Sequence, residues 1–176
     1  MIVDLFKKQL TIKDILDIDK RRIDRSKDLK VRLIENYHIQ KEETWFNKFI
    51  NFFKNKPKLA YYEVFKYKVN SESTVGKDYV VCIRVYPSFD ADKFLMNKVK
   101  VYCQCPDFMY RAAYGLFKKS NIYINKKIKK SLGDALKVPP TDVTTTNSCK
   151  HLYAALSYFK LNLKKYNLVK SGDRRF

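Results

Sequence analysis

The stretches VYCQCPDF (residues 101–108) and NSCKHLYAAL (residues 147–156) decide the fold, because together they supply four metal-ligand residues. These are Cys103, Cys105, Cys149 and His151. Three thiols and one imidazole make a complete tetrahedral donor set for zinc, and sets supplied entirely by protein are usually structural. A catalytic zinc keeps one coordination position open for water or substrate, and this set leaves none. The sequence therefore predicts one structural Zn²⁺ ion before it predicts an enzyme.

The surrounding sequence indicates how the two ligand pairs reach one ion. The alternation over residues 99–105 is typical of a strand, which would direct both of its cysteines to one face. Cys149 and His151 stand where an apolar helical pattern begins, and the free N–H groups at a helix N-terminus favour negative thiolates. The alternative interpretation is a set of buried or incidental cysteines with an ordinary histidine.

The four residues match the signature of the SWIM-type zinc finger, Cys-x-Cys, a variable insert and Cys-x-His. The chain resembles that family in strand-like KVKVYCQC (98–105) and helix-like CKHLYAALSYF (149–159). The resemblance implies a short β-hairpin leading into a helix, and a role in binding DNA, RNA or protein. The insert, residues 106–148, is longer than the usual spacer of the family. Residues 105–120 and 138–156 also resemble, more loosely, small proteins of tailed bacteriophages that carry this finger.

Composition indicates a folded chain of 176 residues, 45% hydrophobic and 15% aromatic, long enough for one domain with its own core. No apolar stretch approaches the length of a transmembrane helix, and a secretory signal is not expected. Cysteines committed to metal fit a reducing compartment, so we expect an intracellular protein in a host cytoplasm, or one incorporated into a virion. Cys82 is expected to be a buried, small apolar residue.

The charge balance points to polyanions, since 37 basic residues against 18 acidic ones give a formal net charge of +19. Codon bias in an AT-rich genome, or a place in a basic virion or ribosome, would give a similar composition. We expect as partners nucleic acid, contacted non-specifically through phosphates, or acidic protein subunits in an oligomeric assembly. No membrane and no small-molecule substrate is expected. The candidate nucleic-acid-binding residues are Lys118, Lys119, Lys126, Lys127, Lys129, Lys130, Lys150, Lys164, Lys165, Arg174 and Arg175.

Periodicity predicts an α+β fold, with N-terminal helices packed on a short antiparallel sheet and zinc joining the last strand to a C-terminal helix. The first third of the chain is predicted to be helical, with an N-cap at Thr11 and an amphipathic helix over 41–56. Three strands are expected over 59–69, 79–86 and 98–103.

The expected organisation is a helical N-terminal part (1–57), strands with the zinc module (58–165) and a basic tail (166–176). The module includes a basic insert at 118–148. One helix is expected to begin at Pro106, and the rest of the insert is expected to be mobile or only partly ordered.

Motifs of catalysis are missing from the sequence. It has no Gly-rich phosphate loop, no Gly-x-Ser-x-Gly elbow, no paired-histidine metalloprotease motif and no deaminase pattern. His38 is the one histidine outside the ligand set, and a lone histidine is usually structural. We therefore expect a non-enzymatic zinc-stabilised module that contacts nucleic acid, of phage origin. The alternative is a structural or assembly protein of a phage head, neck or connector, whose basic face meets packaged DNA or an acidic subunit. A metal-dependent enzyme is the least favoured hypothesis.

Overall fold

The computed structural model describes residues 9–40, 61–137, 147–166 and 168. Its helices and strands, in chain order, are α1 Ile12–Leu16, α2 Lys20–Ser26, β1 Val31–Gln40, β2 Tyr61–Asn70, β3 Asp78–Val85, β4 Val99–Cys103, α3 Ala113–Lys118, α4 Lys126–Leu132 and α5 Lys150–Leu161. A π-helical turn over Phe108–Ala112 leads into α3. Short 3₁₀ turns lie at Phe94–Met96 and Gly133–Leu136. The α+β class predicted from the sequence is confirmed.

The four strands form an antiparallel meander in the order β1-β2-β3-β4. Sequential strands with short connections favour this arrangement. The β2–β3 connection turns through Gly76, whose φ of 76° lies in the left-handed region that glycine adopts without strain. The predicted strands at 59–69, 79–86 and 98–103 thus correspond to β2, β3 and β4.

Strand β1 corrects the prediction that the first third of the chain is helical. It pairs with β2 from Val31–Val69 to Gln40–Tyr61, with a register shift between Leu33 and Glu35. As the outermost strand of the described sheet, β1 leaves many side chains exposed. The register shift also breaks the two-residue alternation, so the usual sequence signal of a strand is weak here.

The predicted start of α1 is confirmed in detail. The hydroxyl of Thr11 accepts a hydrogen bond from the backbone N–H of Asp14 at 3.3 Å. The Asp14 carboxylate accepts one from the backbone N–H of Thr11 at 2.8 Å, which completes a capping box. Ile12 and Ile15 are fully buried, and the backbone N–H of Ile12 donates to the carbonyl of Asn97. These contacts fix α1 beside the start of β4.

The main core lies between the sheet and α5. The ring of Phe159 on α5 packs against Phe65 of β2 at 4.8 Å, and against Phe89 and Phe94 at 5.7 and 6.1 Å. Leu152 and Leu156 on the same helix are fully buried. The helix that begins at the second pair of candidate ligands is therefore also the principal helix of the core.

The described part of the insert between the two ligand pairs, residues 106–137 and 147–148, is more ordered than predicted. Beyond the helix that begins at Pro106, residues 121–123 add to the outer edge of β4. The backbone N–H of Val101 donates to the carbonyl of Asn121, and that of Tyr123 donates to the carbonyl of Val101, both at 2.8 Å. Helix α4 follows, with Ile128 and Leu132 buried. Only two buried apolar residues in a lysine-rich segment leave a faint helical pattern, which is why the sequence did not reveal this helix.

Several predictions fall on residues outside the described ranges. These are the amphipathic helix at 41–56, residues 138–146 of the insert and the tail beyond 168. Among the helices of the described ranges, none is long and apolar enough to cross a membrane.

Candidate metal centre

The first ligand pair lies where β4 gives way to a helix. The strand ends at Cys103, and Cys105 occupies the bend before the helical turn that starts at Pro106. The strand-like alternation therefore stops one ligand earlier than the sequence suggests, because proline lacks the N–H that would continue the ladder. The backbone N–H of Phe108 donates to the Cys105 sulfur at 3.3 Å, and that of Cys105 donates to the Cys103 sulfur at 3.5 Å. The bend thus turns both thiols toward the same point.

The second pair opens α5, as the sequence predicts. Cys149 is the N-cap residue, and its sulfur accepts a hydrogen bond from the backbone N–H of Leu152 at 3.4 Å. His151 lies in the first turn with only 4% of its surface exposed. The ring of Tyr79 on β3 packs against the imidazole at 4.8 Å between centroids, at an interplanar angle of 61°. This contact orients the imidazole within the core.

The four side chains converge on one buried point. The three sulfurs and the imidazole nitrogen all lie within 4.8 Å of one another, and all four residues are buried. A tetrahedral zinc ion with Zn–S bonds of about 2.3 Å holds its ligands about 3.8 Å apart. Side-chain shifts of less than about 1 Å therefore bring the cluster onto an ion.

The ring nitrogens of His151 provide a separate argument for a metal ion at this point. Both ring nitrogens of His151 are buried, and neither has a hydrogen-bond partner among the described residues. A buried polar atom without a partner is costly, and such atoms call for an explanation. A metal ion that takes the lone pair of one nitrogen would account for that nitrogen, while the other ring nitrogen has no partner among the described residues. The donor set and its surroundings therefore fit Zn²⁺.

Burial and mutual contact shift the pKa values of the three thiols. Burial raises the pKa of Cys103 and Cys149 well above the ordinary thiol value. Hydrogen bonds from these two thiols lower the pKa of Cys105. A buried cluster of three thiolates is stable only with a compensating cation. A bound Zn²⁺ would provide that charge, and it would contribute directly to the free energy of folding.

An ionic cluster beside the site was not expected from the sequence. Glu72, in the β2–β3 connection, accepts a hydrogen bond from Arg25 of α2 at 2.9 Å and pairs with Lys150 of α5. Charge-assisted hydrogen bonds lower the pKa of the Glu72 carboxyl, with the larger effect from Lys150 and the smaller from Arg25. The contacts tie α2, the β2–β3 connection and α5 together. Arg25, Glu72 and Lys150 are far apart in the sequence, so no local sequence pattern predicts that they meet.

The candidate nucleic-acid-binding residues divide into three groups. Lys118 and Lys119 at the end of α3, the four lysines of α4, and Lys164 and Lys165 after α5 are exposed. Lys150 is instead paired with Glu72, and its side chain is 15% exposed. Arg174 and Arg175 lie outside the described residues.

Fold and site together define a small α+β protein with a buried Cys₃His cluster that could hold a metal ion, which is compatible with a zinc finger. No family model matches the chain, and no curated protein or solved structure matches it. The likeness to the SWIM-type finger therefore rests on the four ligands and the strand and helix that carry them.

Thiol reactivity tests the separation of Cys82 from the metal ligands. Cys82 is 3% exposed, and burial raises its pKa to about 12, so the folded protein should present no reactive thiolate there. We expect no cysteine of the zinc-loaded protein to react with a chromogenic disulfide reagent, and all four to react after chelation in denaturant. Rapid reaction of three thiols in the zinc-loaded protein would contradict the metal site, and reaction of one would contradict the burial of Cys82.

Proposed function

We propose that the protein is a non-enzymatic, zinc-stabilised basic module that binds nucleic acid mainly through its phosphates. The observation that supports this proposal is a set of six exposed lysines. One ends α3, one directly follows it, and four lie on α4. In the part of the chain that the structure describes, none of them forms an ion pair. They are Lys118, Lys119, Lys126, Lys127, Lys129 and Lys130. We call this set the insert lysines.

The four lysines of α4 are carried on a fixed helix. Ile128 and Leu132 anchor the helix in the core, and Asn125 caps its start by accepting a hydrogen bond from the backbone N–H of Ile128 at 2.9 Å. The hydroxyls of Tyr102 on β4 and Ser131 on α4 lie 3.3 Å apart, within hydrogen-bond distance. An anchored helix holds its charges in a constant arrangement, which favours phosphate contact over a freely moving tail.

Zinc has a direct part in this proposal. The insert lysines all lie between the ligand pair Cys103 and Cys105 and the ligand pair Cys149 and His151. One ion would therefore close the segment that carries them and fix both of its ends. The site's role would be to hold a basic surface in place, with no chemistry at the metal. The sequence contains no recognition-helix motif, so we propose contact with phosphates rather than with base edges.

The salt dependence of binding tests this proposal. If the six insert lysines each neutralise one phosphate, the logarithm of the association constant should fall with the logarithm of salt concentration with a slope of about −4 on single-stranded DNA. Fluorescence anisotropy with a labelled oligonucleotide of mixed sequence measures it. Absence of binding at low salt, or an affinity unaffected by salt, would contradict the proposal.

A second candidate function is a structural or assembly role in a phage virion. The phage origin in both hypotheses is supported by the sequence resemblance. The assembly role is also favoured by large apolar side chains on the surface, since Met96, Tyr110 and Leu161 are 65%, 75% and 84% exposed. Such side chains can make subunit contacts. A symmetric oligomer in native mass spectrometry, with little affinity for free nucleic acid, would favour this candidate.

A further inference from the structure

Two like charges face each other on the sheet surface opposite α5. Arg84 of β3 and Lys100 of β4 are direct cross-strand partners. Like charges in this position destabilise a sheet. Neither residue has a salt bridge to any acidic residue that the structure describes. The fold therefore carries a local repulsion that nothing in the described ranges neutralises.

The pair lines a cavity of about 170 Å³. The remaining lining comes from the segment after α3 and from α3 itself: Phe117, Ser120, Ile122 and Ile124. Three of these side chains are apolar, and Ser120 offers a hydroxyl. Burial, and then the charge of Arg84, lower the pKa of Lys100. Two cations and a hydroxyl beside an apolar wall are a suitable lining for an anion.

The guanidinium of Arg84 is held against aromatic rings. Its guanidinium lies over the ring of Tyr62 at 4.2 Å and lies 5.7 Å from the ring centroid of Tyr86. Its Nε is buried and has no hydrogen-bond partner among the described residues. A guanidinium held on an aromatic face loses little freedom on binding, and its planar fork matches two oxygens of a phosphate.

We propose that Arg84 and Lys100 form a phosphate-binding site. A phosphate oxygen would accept hydrogen bonds from both side chains and remove the repulsion between them. This inference rests on the proposed function, because the phosphate is taken to belong to the backbone of a bound nucleic acid. Ser120 directly follows Lys118 and Lys119, so the cavity adjoins one end of the insert lysines.

The test compares Arg84→Gln and Lys100→Gln with Lys13→Gln, which removes an exposed lysine of α1 and serves as the charge control. Inorganic phosphate, added at constant ionic strength, should raise the thermal unfolding midpoint of the wild type and of the control by more than that of either site variant, since phosphate also stabilises proteins without binding to a site. Without phosphate, Lys100→Gln should unfold at the same temperature as the wild type or at a higher one, because the substitution removes the repulsion. A lysine that merely supports the fold would give a lower midpoint.

The second probe is a mixed-sequence single-stranded DNA. We expect Arg84→Gln to weaken its binding about tenfold or more, and Lys13→Gln about twofold or less. If the site variants bind DNA like the control and the phosphate response is unchanged, the site is wrong and the proposed function stands. If the wild type responds to phosphate at this site but binds no nucleic acid, the site is supported with free phosphate or a phosphorylated small molecule as its ligand, and the proposed function fails.

Discussion

Replacing Cys149 with serine is expected to abolish zinc binding and to unfold the C-terminal half of the protein. Structural zinc contributes an apparent folding free energy of about 10–16 kcal/mol, whereas most domains are stable by only about 5–15 kcal/mol. The loss should reach the sheet, because the rings packed on Phe159 of α5 include Phe65 of β2. Residues 100–165 should become sensitive to protease, which limited proteolysis followed by mass spectrometry detects.

Serine is an informative substitution at this position because it retains the local structural role of the cysteine. Cys149 caps α5 through a hydrogen bond from Leu152, and serine is a preferred N-cap residue of similar size. Instability of the variant would therefore report the lost ligand and not a lost cap. Cys82→Ala is the matched control, since it removes a buried cysteine outside the cluster and should retain one zinc. Unchanged zinc content in Cys149→Ser would disprove the ligand assignment.

Removing the charges of α4 is expected to cause the largest loss of nucleic-acid affinity. The variant replaces Lys126, Lys127, Lys129 and Lys130 with glutamine, which supports a helix about as well as lysine. If the four lysines neutralise four phosphates, the salt slope on single-stranded DNA should become shallower by about 3. With 1 M salt as the reference, the unrounded slope change of about 2.8 corresponds at 0.1 M salt to about a 600-fold weaker association constant. Fluorescence anisotropy over a series of salt concentrations measures both quantities.

The control for that variant removes the same total charge elsewhere. Four exposed lysines outside the insert serve this purpose when each is replaced by glutamine: Lys13, Lys20, Lys93 and Lys98. The control should retain most of the affinity if the insert lysines form the contact surface. An equal loss in both variants would show that binding follows net charge alone, and the proposed surface would be wrong.

The local signals in the sequence predicted much of the site. Cys-x-Cys at the end of a strand and Cys-x-His at the start of an apolar helical pattern identified the four residues that the fold brings together. Thr11 with Asp14 identified the start of α1. Each of these signals is carried by residues close in the chain, so periodicity and capping rules apply to them directly.

The features that the sequence did not reveal depend on partners far apart in the chain. Strand β1 shows weak alternation because it is bulged and largely exposed, and its pairing with β2 defines it. The contacts of Glu72 with Arg25 and Lys150 join three elements. Arg84 and Lys100 face each other because of the register between β3 and β4. A slip of one residue in that register would separate them.

The central claim is that the cluster of three cysteines and one histidine holds one zinc ion. Native mass spectrometry of the protein as isolated, with zinc quantified on the same sample, tests it most directly. We predict one zinc per chain, and we expect the zinc to be released when denaturing conditions unfold the protein. A folded protein that contains no zinc, and takes up none when zinc is supplied, would contradict the claim.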